Sequence, residues 1–173
     1  HISNEDGVVV NEELGEPMEK AAARLIITNY LGCNSVFVER NFFLSNRFNA
    51  DRRLASSEDW ELWLRLISRR PLYRCEGITL RVQNHEGRSL FTITPDRIIE
   101  RDTVMLEYLL ADNPFTFKFK KLLRLFKADR YTFFALVLSI TKVRRSETLH
   151  FLLKSLRATP QVLLRRRFWA SSK

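Results

Sequence analysis

The division of charge along this chain limits the folds that are open to it. Residues 1–110 contain 14 Lys and Arg against 17 Asp and Glu, whereas residues 111–173 contain 15 against 3. The formal net charge of +9 therefore comes from the last third of the chain. The chain has 173 residues, 45% of them hydrophobic, which is enough for one globular domain with a core. We expect two parts, a folded domain over residues 1–111 and a basic extension over residues 112–173.

Cysteine and hydrophobic patterns exclude two other classes of protein. Cys33 and Cys75 lie far apart and form no CxxC pair, so they indicate reduced thiols rather than a disulfide framework or a zinc site. The longest apolar run, residues 131–140, is short, because a membrane-spanning helix needs about 20 residues. The chain starts with His1, and its first residues look like the continuation of a longer protein. The sequence predicts a fragment of a cytoplasmic protein without a transmembrane helix.

Helices alternate with short strands in the predicted domain. Capping and proline positions, together with apolar residues at helical spacing, predict helices over residues 16–31, 57–70 and 94–110. Segments rich in β-branched and aromatic side chains predict strands over residues 33–38, 72–76 and 78–82, followed by a polar loop. This alternation predicts an α/β fold.

The stretch SSEDWELWLRL, residues 56–66, combines a predicted helix start with two adjacent carboxylates. In the first turn of a helix, Glu58 and Asp59 would complement the helix dipole and contribute about 0.3 to 1 kcal/mol each. The same pair could instead carry chemistry. Trp60 and Trp63 share one face of the predicted helix, and we expect them in the core; the alternative is an aromatic platform under a sugar ring.

This order of features resembles the carboxyl-terminal half of the catalytic domain of family 2 glycosyltransferases. These are inverting enzymes with the GT-A fold, an α/β fold, and they use nucleotide-sugar donors. The resemblance covers about residues 27–89, and its most specific part is residues 57–65, where an acidic pair is followed by aromatic, aliphatic and arginine residues. It implies transfer of a sugar, with inversion, to a hydroxyl of a cell-surface polysaccharide or a lipid-linked glycan.

The resemblance assigns roles to five residues. By this resemblance Asp59 is the catalytic base that takes the proton of the acceptor hydroxyl, and Glu58 is its catalytic neighbour and substitute base at the acceptor site. Arg65 and Arg81 would contact the acceptor or the diphosphate, although Arg65 could equally form an ion pair within its own helix. His85 corresponds to a histidine near the donor diphosphate and its metal, Mn²⁺ or Mg²⁺; a solvated loop histidine is the alternative.

The chain departs from the family pattern in two places. Family members carry an Asp-x-Asp motif for the metal and the donor phosphates upstream of the matching region, and this chain contains none. Around residues 46–51, NRFNAD replaces the usual Gly-Phe-Asp-Glu. The resemblance therefore implies a partial GT-A domain that lacks its nucleotide-binding half. The divalent metal is expected in the full-length enzyme, and the fragment alone is expected to be inactive.

The basic extension interleaves Phe and Leu with Lys and Arg. The pattern permits three interpretations: a helical subdomain packed on the domain, an anchor on a membrane surface, or a patch that binds nucleic acid. Apolar faces opposite cationic faces favour an anionic bilayer, contacted through residues 114–169 at the inner face of the cytoplasmic membrane. The rival function is a non-catalytic basic binding module. Because no nucleic-acid-binding motif is present, we expect no nucleic-acid partner.

Overall fold

A computed structural model describes residues 2–3, 9–11, 18–75, 82–83, 94–140 and 144–171, and these residues form mainly helices. The α-helices in these ranges are α1 (Met18–Ile27), α2 (Arg40–Leu44), α3 (Glu58–Arg69), α4 (Pro95–Ala111), α5 (Asn113–Lys118), α6 (Leu123–Ile140), α7 (Arg145–Ala158) and α8 (Arg166–Ser171). Short 3-10 helices lie at Cys33–Ser35, Arg52–Leu54 and Pro160–Leu164. The strands β1 (Ile2–Ser3), β2 (Val9–Asn11) and β3 (Val82–Gln83) pair in the order β2-β1-β3, with β1 antiparallel to β2 and parallel to β3.

The predicted α/β fold is wrong, because the structure is helical and the described strands are only two or three residues long. The predicted strand over residues 33–38 begins with a 3-10 helix, and Phe37 within it is 84% exposed. Residues 72–75 have no regular secondary structure, and most of the strand predicted over 78–82 lies outside the described residues. β-branched and aromatic residues favour a strand only where a neighbouring strand gives them a surface to pack on. The described residues are therefore not the α/β acceptor half of a GT-A domain.

Two predicted helices, α3 and α4, are confirmed. Helix α3 begins directly after Ser57, whose side chain accepts no capping hydrogen bond, and acidic residues occupy the first turn. Helix α4 begins at Pro95, whose fixed φ suits the first turn, and the Oγ1 of Thr94 accepts a hydrogen bond from the backbone N–H of Arg97 (3.4 Å). The helix predicted over residues 16–31 ends four residues earlier, at Ile27. The non-helical segment that follows packs against α3.

Asp112 forms the joint between α4 and α5. It ends α4, and its Oδ1 accepts a hydrogen bond from the backbone N–H of Phe115 in the first turn of α5 (2.9 Å). Its carboxylate also forms an ion pair with Arg69 at the end of α3 (2.6 Å). The Asp112 side chain therefore caps the first helix of the basic extension and links the α4–α5 connection to α3.

The main hydrophobic cluster is centred on α3, which is buried on most of its circumference. Trp60 and Trp63 are 4% and 5% exposed, which confirms that they belong to the core. Helices α1 and α4 cover α3, and three aromatic residues of the basic extension join the same cluster: Phe115, Phe119 and Phe126. Burial of each such side chain contributes about 1.5 to 3 kcal/mol. The core therefore draws on residues from both sides of position 112.

A second hydrophobic cluster lies where α6 packs on α7, α8 and the 3-10 helix Pro160–Leu164. Ala128 and Ala135 of α6 are fully buried in it, and their small side chains allow close packing between helices. Val162 and Phe168 are buried in the same cluster. Since Phe126 belongs to the main cluster, α6 takes part in both.

Charged side chains are also buried between α4, α6 and α8. Asp102 is fully buried and accepts hydrogen bonds from Arg101 Nε (2.9 Å) and Arg130 Nη1 (3.2 Å). Arg130 Nη2 donates to Asp129 Oδ2 (2.6 Å), which also accepts from Arg167 Nη1 (3.0 Å). The buried carboxylates are thus paired, as the cost of removing their charges from water requires. We refer to these five residues as the buried ion network.

Candidate functional site

The two adjacent carboxylates of the sequence lie in the first turn of α3. Asp59 is half-buried, and its Oδ1 accepts hydrogen bonds from Asn29 Nδ2 (3.1 Å) and from the backbone N–H of Trp60 (2.6 Å). The backbone N–H of Asp59 itself also interacts with the carboxylate, and no other described residue donates a hydrogen bond to Oδ2. Asp59 is therefore oriented through one oxygen, and its second oxygen can accept a proton from a bound molecule.

Asn29 is placed by the two tryptophans of α3. The indole Nε1 of Trp60 donates to the carbonyl of Leu25 (2.7 Å), and that of Trp63 donates to the carbonyl of Leu31 (3.1 Å). These two bonds lie on either side of Asn29 in the sequence and fix the segment after α1 against α3. The tryptophans are core residues, and as such they also position the partner of Asp59.

Burial raises the pKa of the Asp59 carboxyl, and the neighbouring charge of Glu58 raises it further. The hydrogen bonds from Trp60 and Asn29 act in the opposite direction without cancelling the rise. The Oε2 atom of Glu58 is buried and has no hydrogen-bond partner among the described residues. A half-buried carboxyl with a raised pKa is a stronger base than an ordinary aspartate, which is the property that general base catalysis needs.

Cys33 interacts electrostatically with the carboxylates of Asp59 and Glu58. Partial burial raises the pKa of its thiol, and the charges of Asp59 and Glu58 raise it further. The raised pKa favours the neutral thiol over the thiolate, so Cys33 is a weaker nucleophile than an unperturbed cysteine.

Arg65 lies on another side of α3. It follows Asp59 by six residues, which corresponds to about 240° around a helix with 3.6 residues per turn. Its Nε and Nη2 donate to the two carboxylate oxygens of Glu61 (2.6 and 3.0 Å), and Nη2 also donates to the carbonyl of Arg47 (2.8 Å). Glu61 is 1% exposed, so this bidentate pair neutralises a buried charge. The structure does not bring Arg65 together with Asp59.

An open cleft of about 360 Å³ lies beside this ion pair, on the side of α3 away from Asp59. It is lined by Arg47, Asn49, Glu61, Arg65, Tyr108, Ala111 and Asp112. The hydroxyl of Tyr108 donates to Asp51 (3.0 Å), and Asp51 is also paired with Arg53 (2.7 Å). Hydrogen bonds from Arg53 hold the pKa of the Asp51 carboxyl far below its usual range. Asp51 is therefore a poor base, in contrast to Asp59.

Arg81 and His85, the other predicted site residues, lie outside the described residues. Within the described ranges, no group of three or more His, Cys, Asp and Glu side chains is placed to hold a metal ion. The Mn²⁺ or Mg²⁺ ion therefore remains a prediction.

Arg130 is a supporting residue that the sequence did not indicate. Its guanidinium carbon lies 4.5 Å from the centre of the Trp60 ring, and its Nη2 donates to the carbonyl of Ile27 (2.9 Å). It therefore contacts both segments that carry the Asp59–Asn29 pair. No sequence signal could identify it, because it lies 71 residues after Asp59 in a basic helical pattern. Asn29 was also missed, because an asparagine just after a helix is common without any function.

Comparison of the chain with protein families, with curated proteins and with solved structures finds no match. None of the helices in the described part of the chain has the length and apolar character that crossing a membrane requires.

Proposed function

We propose that this chain supplies the acceptor-side base of an inverting glycosyltransferase, and that Asp59 is this base. One observation carries the proposal: Asp59 is half-buried, burial raises its pKa, Asn29 holds one of its oxygens, and the other oxygen is left to accept a proton. The similarity of residues 57–65 to the acidic pair of family 2 glycosyltransferases supports the same role. The proposal does not depend on the fold.

The chemistry assigned to Asp59 is a single proton transfer. The acceptor hydroxyl donates a hydrogen bond to Oδ2, and Asp59 takes its proton as the oxygen attacks the anomeric carbon of the donor sugar. The new carbon–oxygen bond forms as the bond to the nucleotide diphosphate breaks, and the electron pair leaves with the diphosphate. Attack from the side opposite the leaving group inverts the anomeric carbon. A nucleotide-sugar donor and a glycan or lipid-linked acceptor are the partners of this proposal.

Asn29 is proposed as a positioning residue for this step. Its Nδ2 holds Oδ1, so that Oδ2 keeps one orientation toward the acceptor. The hydrogen bond also limits the rise in the pKa of Asp59, because it stabilises the charged form of the carboxyl. Glu58 adds negative charge beside the base and is expected to modulate its proton affinity rather than replace it.

The test uses the protein expressed from its complete reading frame, with a panel of labelled nucleotide sugars and hydroxyl acceptors. Asp59→Asn should lower the transfer rate by about 10²- to 10⁴-fold with little change in thermal stability. Asp51→Asn is the matched control, because Asp51 is a carboxylate with a lowered pKa on the other side of α3, and it should transfer at nearly the parental rate. Glu58→Gln should fall between the two.

Two results would overturn the proposal. The first is no detectable transfer by the complete protein from any donor in the panel. The second is a folded Asp59→Asn variant that transfers sugar at nearly the parental rate, which would leave Asp59 with only a role at the helix start.

A further inference from the structure

We propose that the carboxyl-terminal helices form a docking surface for an anionic lipid bilayer, centred on Leu163, Leu164 and Trp169. The proposal is independent of the chemistry of Asp59. These three side chains are 41%, 89% and 55% exposed, although all are large and apolar. Trp169 contacts the backbone of Leu163, so these exposed residues are neighbours in space, and contiguous exposed apolar surface marks sites of interaction.

The three side chains are held by a rigid support. Their neighbours Val162 and Phe168 are 1% and 6% exposed and belong to the second hydrophobic cluster. Trp169 Nε1 donates a hydrogen bond to the carbonyl of Leu163 (2.8 Å), and the Trp169 ring contacts the ring of Phe168 at 5.5 Å between centroids. The packed neighbours therefore fix the segment while its outward side chains remain in solvent.

Helix α7, which packs against the 3-10 helix Pro160–Leu164, adds to the exposed apolar surface. Leu149 and Leu153 lie one turn apart on its exposed face and are 58% and 45% exposed. Lys154 and Arg157 are exposed on the same helix. A helix that presents leucines beside cations to solvent suits the boundary between acyl chains and headgroups.

The charge of the basic extension identifies the kind of partner. It contains three acidic residues, and each is engaged in an ion pair: Asp112 with Arg69, Asp129 with Arg130 and Arg167, and Glu147 with Arg144. No acidic side chain of the extension is left to oppose its exposed cations, which include Lys120, Lys121, Arg124, Lys154, Arg157 and Arg166. An anionic surface is the complement of such a charge, and each cation near an anionic leaflet adds about 1 kcal/mol to binding.

The apolar side chains decide between the anionic partners. A nucleic acid would attract the cations, but its phosphates gain nothing from exposed leucines. A second copy of the chain would bring two cationic surfaces together and repel. A bilayer with anionic lipids accepts both kinds of side chain, the cations among its headgroups and Leu164 and Trp169 below them.

This surface lies at the carboxyl-terminal end of the range predicted to contact the bilayer, residues 114–169. The aromatic residues around position 120 gave the amphipathic pattern, but Phe115, Phe119 and Phe126 are buried in the main cluster. Phe117 is the exposed member of that group, at 86%. It provides a matched control, because it is a large, exposed apolar residue of the same extension outside the proposed surface.

The test is co-sedimentation of the full chain with vesicles of phosphatidylserine and phosphatidylcholine, and with vesicles of phosphatidylcholine alone. The chain should bind the anionic vesicles and bind the neutral ones weakly. The double substitution Leu164→Gln with Trp169→Gln leaves the charge unchanged and should lower the partition coefficient by about tenfold or more. Phe117→Gln should change it less than about twofold, and circular dichroism checks that both variants are folded.

A second measurement does not depend on the stability of the double variant. Brominated lipids should quench the fluorescence of Trp169 when vesicles bind, whereas Trp60 and Trp63 are buried and remain unquenched. The conservative variant Trp169→Phe should abolish the quenching and keep most of the binding.

Several outcomes would overturn the proposal. The first is vesicle binding that the double substitution leaves unchanged, because binding would then depend on charge alone. Absence of Trp169 quenching in bound protein would place another surface at the bilayer. If the chain does not bind vesicles but binds nucleic acid with a steep salt dependence, its partner is nucleic acid rather than a bilayer. A chain that instead forms a dimer, lost in the double variant, would show a self-association surface.

Discussion

Replacing Arg130 with Met tests whether the buried ion network holds the fold together. Methionine keeps much of the length and packing of the side chain but removes all of its hydrogen bonds. Asp102, which is fully buried, keeps Arg101 on Oδ1 and loses its donor on Oδ2. Asp129 keeps Arg167, while the carbonyl of Ile27 loses its donor.

The expected cost follows from these losses. Breaking a buried ion pair by removing one partner costs about 3 to 5 kcal/mol, because the remaining charge stays buried without full compensation. The contact of Arg130 with the Trp60 ring is lost as well. We therefore expect Arg130→Met to lower the free energy of unfolding by about 3 to 5 kcal/mol. Replacing the buried carboxylate too, with Asp102→Asn, should recover part of the loss.

Urea denaturation followed by tryptophan fluorescence measures this change, because Trp60 lies against Arg130. Arg124→Met is the matched control: it removes an exposed cation from the same helix and should change stability by less than about 0.5 kcal/mol. If Arg130→Met loses less than about 1 kcal/mol, the ion network is not a stabilising element and the reasoning is refuted.

Three further predictions concern pH, the basic extension and the start of α3. Burial raises the pKa of Asp59, so the stability that its protonated form contributes is present below the unfolded pKa and is lost as pH rises through the folded pKa. In urea titrations at several pH values, Asp59→Asn should therefore lose less stability than the parent across that pH range. Phe115→Ala, at a fully buried site, should cost about 3 to 5 kcal/mol in urea denaturation, and Phe117→Ala, at an exposed site, less than about 0.5 kcal/mol; equal costs would contradict the assignment of Phe115 to the core. Ser56 has a φ of 72°, so Ser56→Gly should leave the thermal midpoint unchanged or raise it, and a clear fall would contradict the expected strain relief.

The sequence predicts the parts of this fold that local chemistry determines. The start of α4 follows from Thr94 with Pro95, and the carboxylates Glu58 and Asp59 suit the first turn of α3. The burial of Trp60 and Trp63 follows from their spacing. The strand over residues 33–38 could not be judged from its residues, because a strand needs a partner that the local sequence does not reveal.

The candidate site divides in the same way. The acidic pair was visible because both residues are adjacent at a predicted helix start. Asn29 and Arg130 were not, because their roles depend on contacts across 30 and 70 residues of chain, with Asp59 and Trp60 respectively. A basic amphipathic pattern is also the same whether its apolar face meets lipid or another helix, so it could not show that Phe115 and Phe126 are core residues.

The participation of α6 in both hydrophobic clusters has a consequence for proteolysis. Phe126, near the start of α6, is buried in the main cluster, and Ala135, later in the same helix, is buried in the second cluster. Cleavage within Leu123–Ile140 requires that α6 separate from both hydrophobic clusters, so it is expected only after global unfolding. Cleavage before α6 would leave the main cluster without Phe126 and expose its interior. Cleavage at either position is therefore not expected to release a fragment that survives digestion.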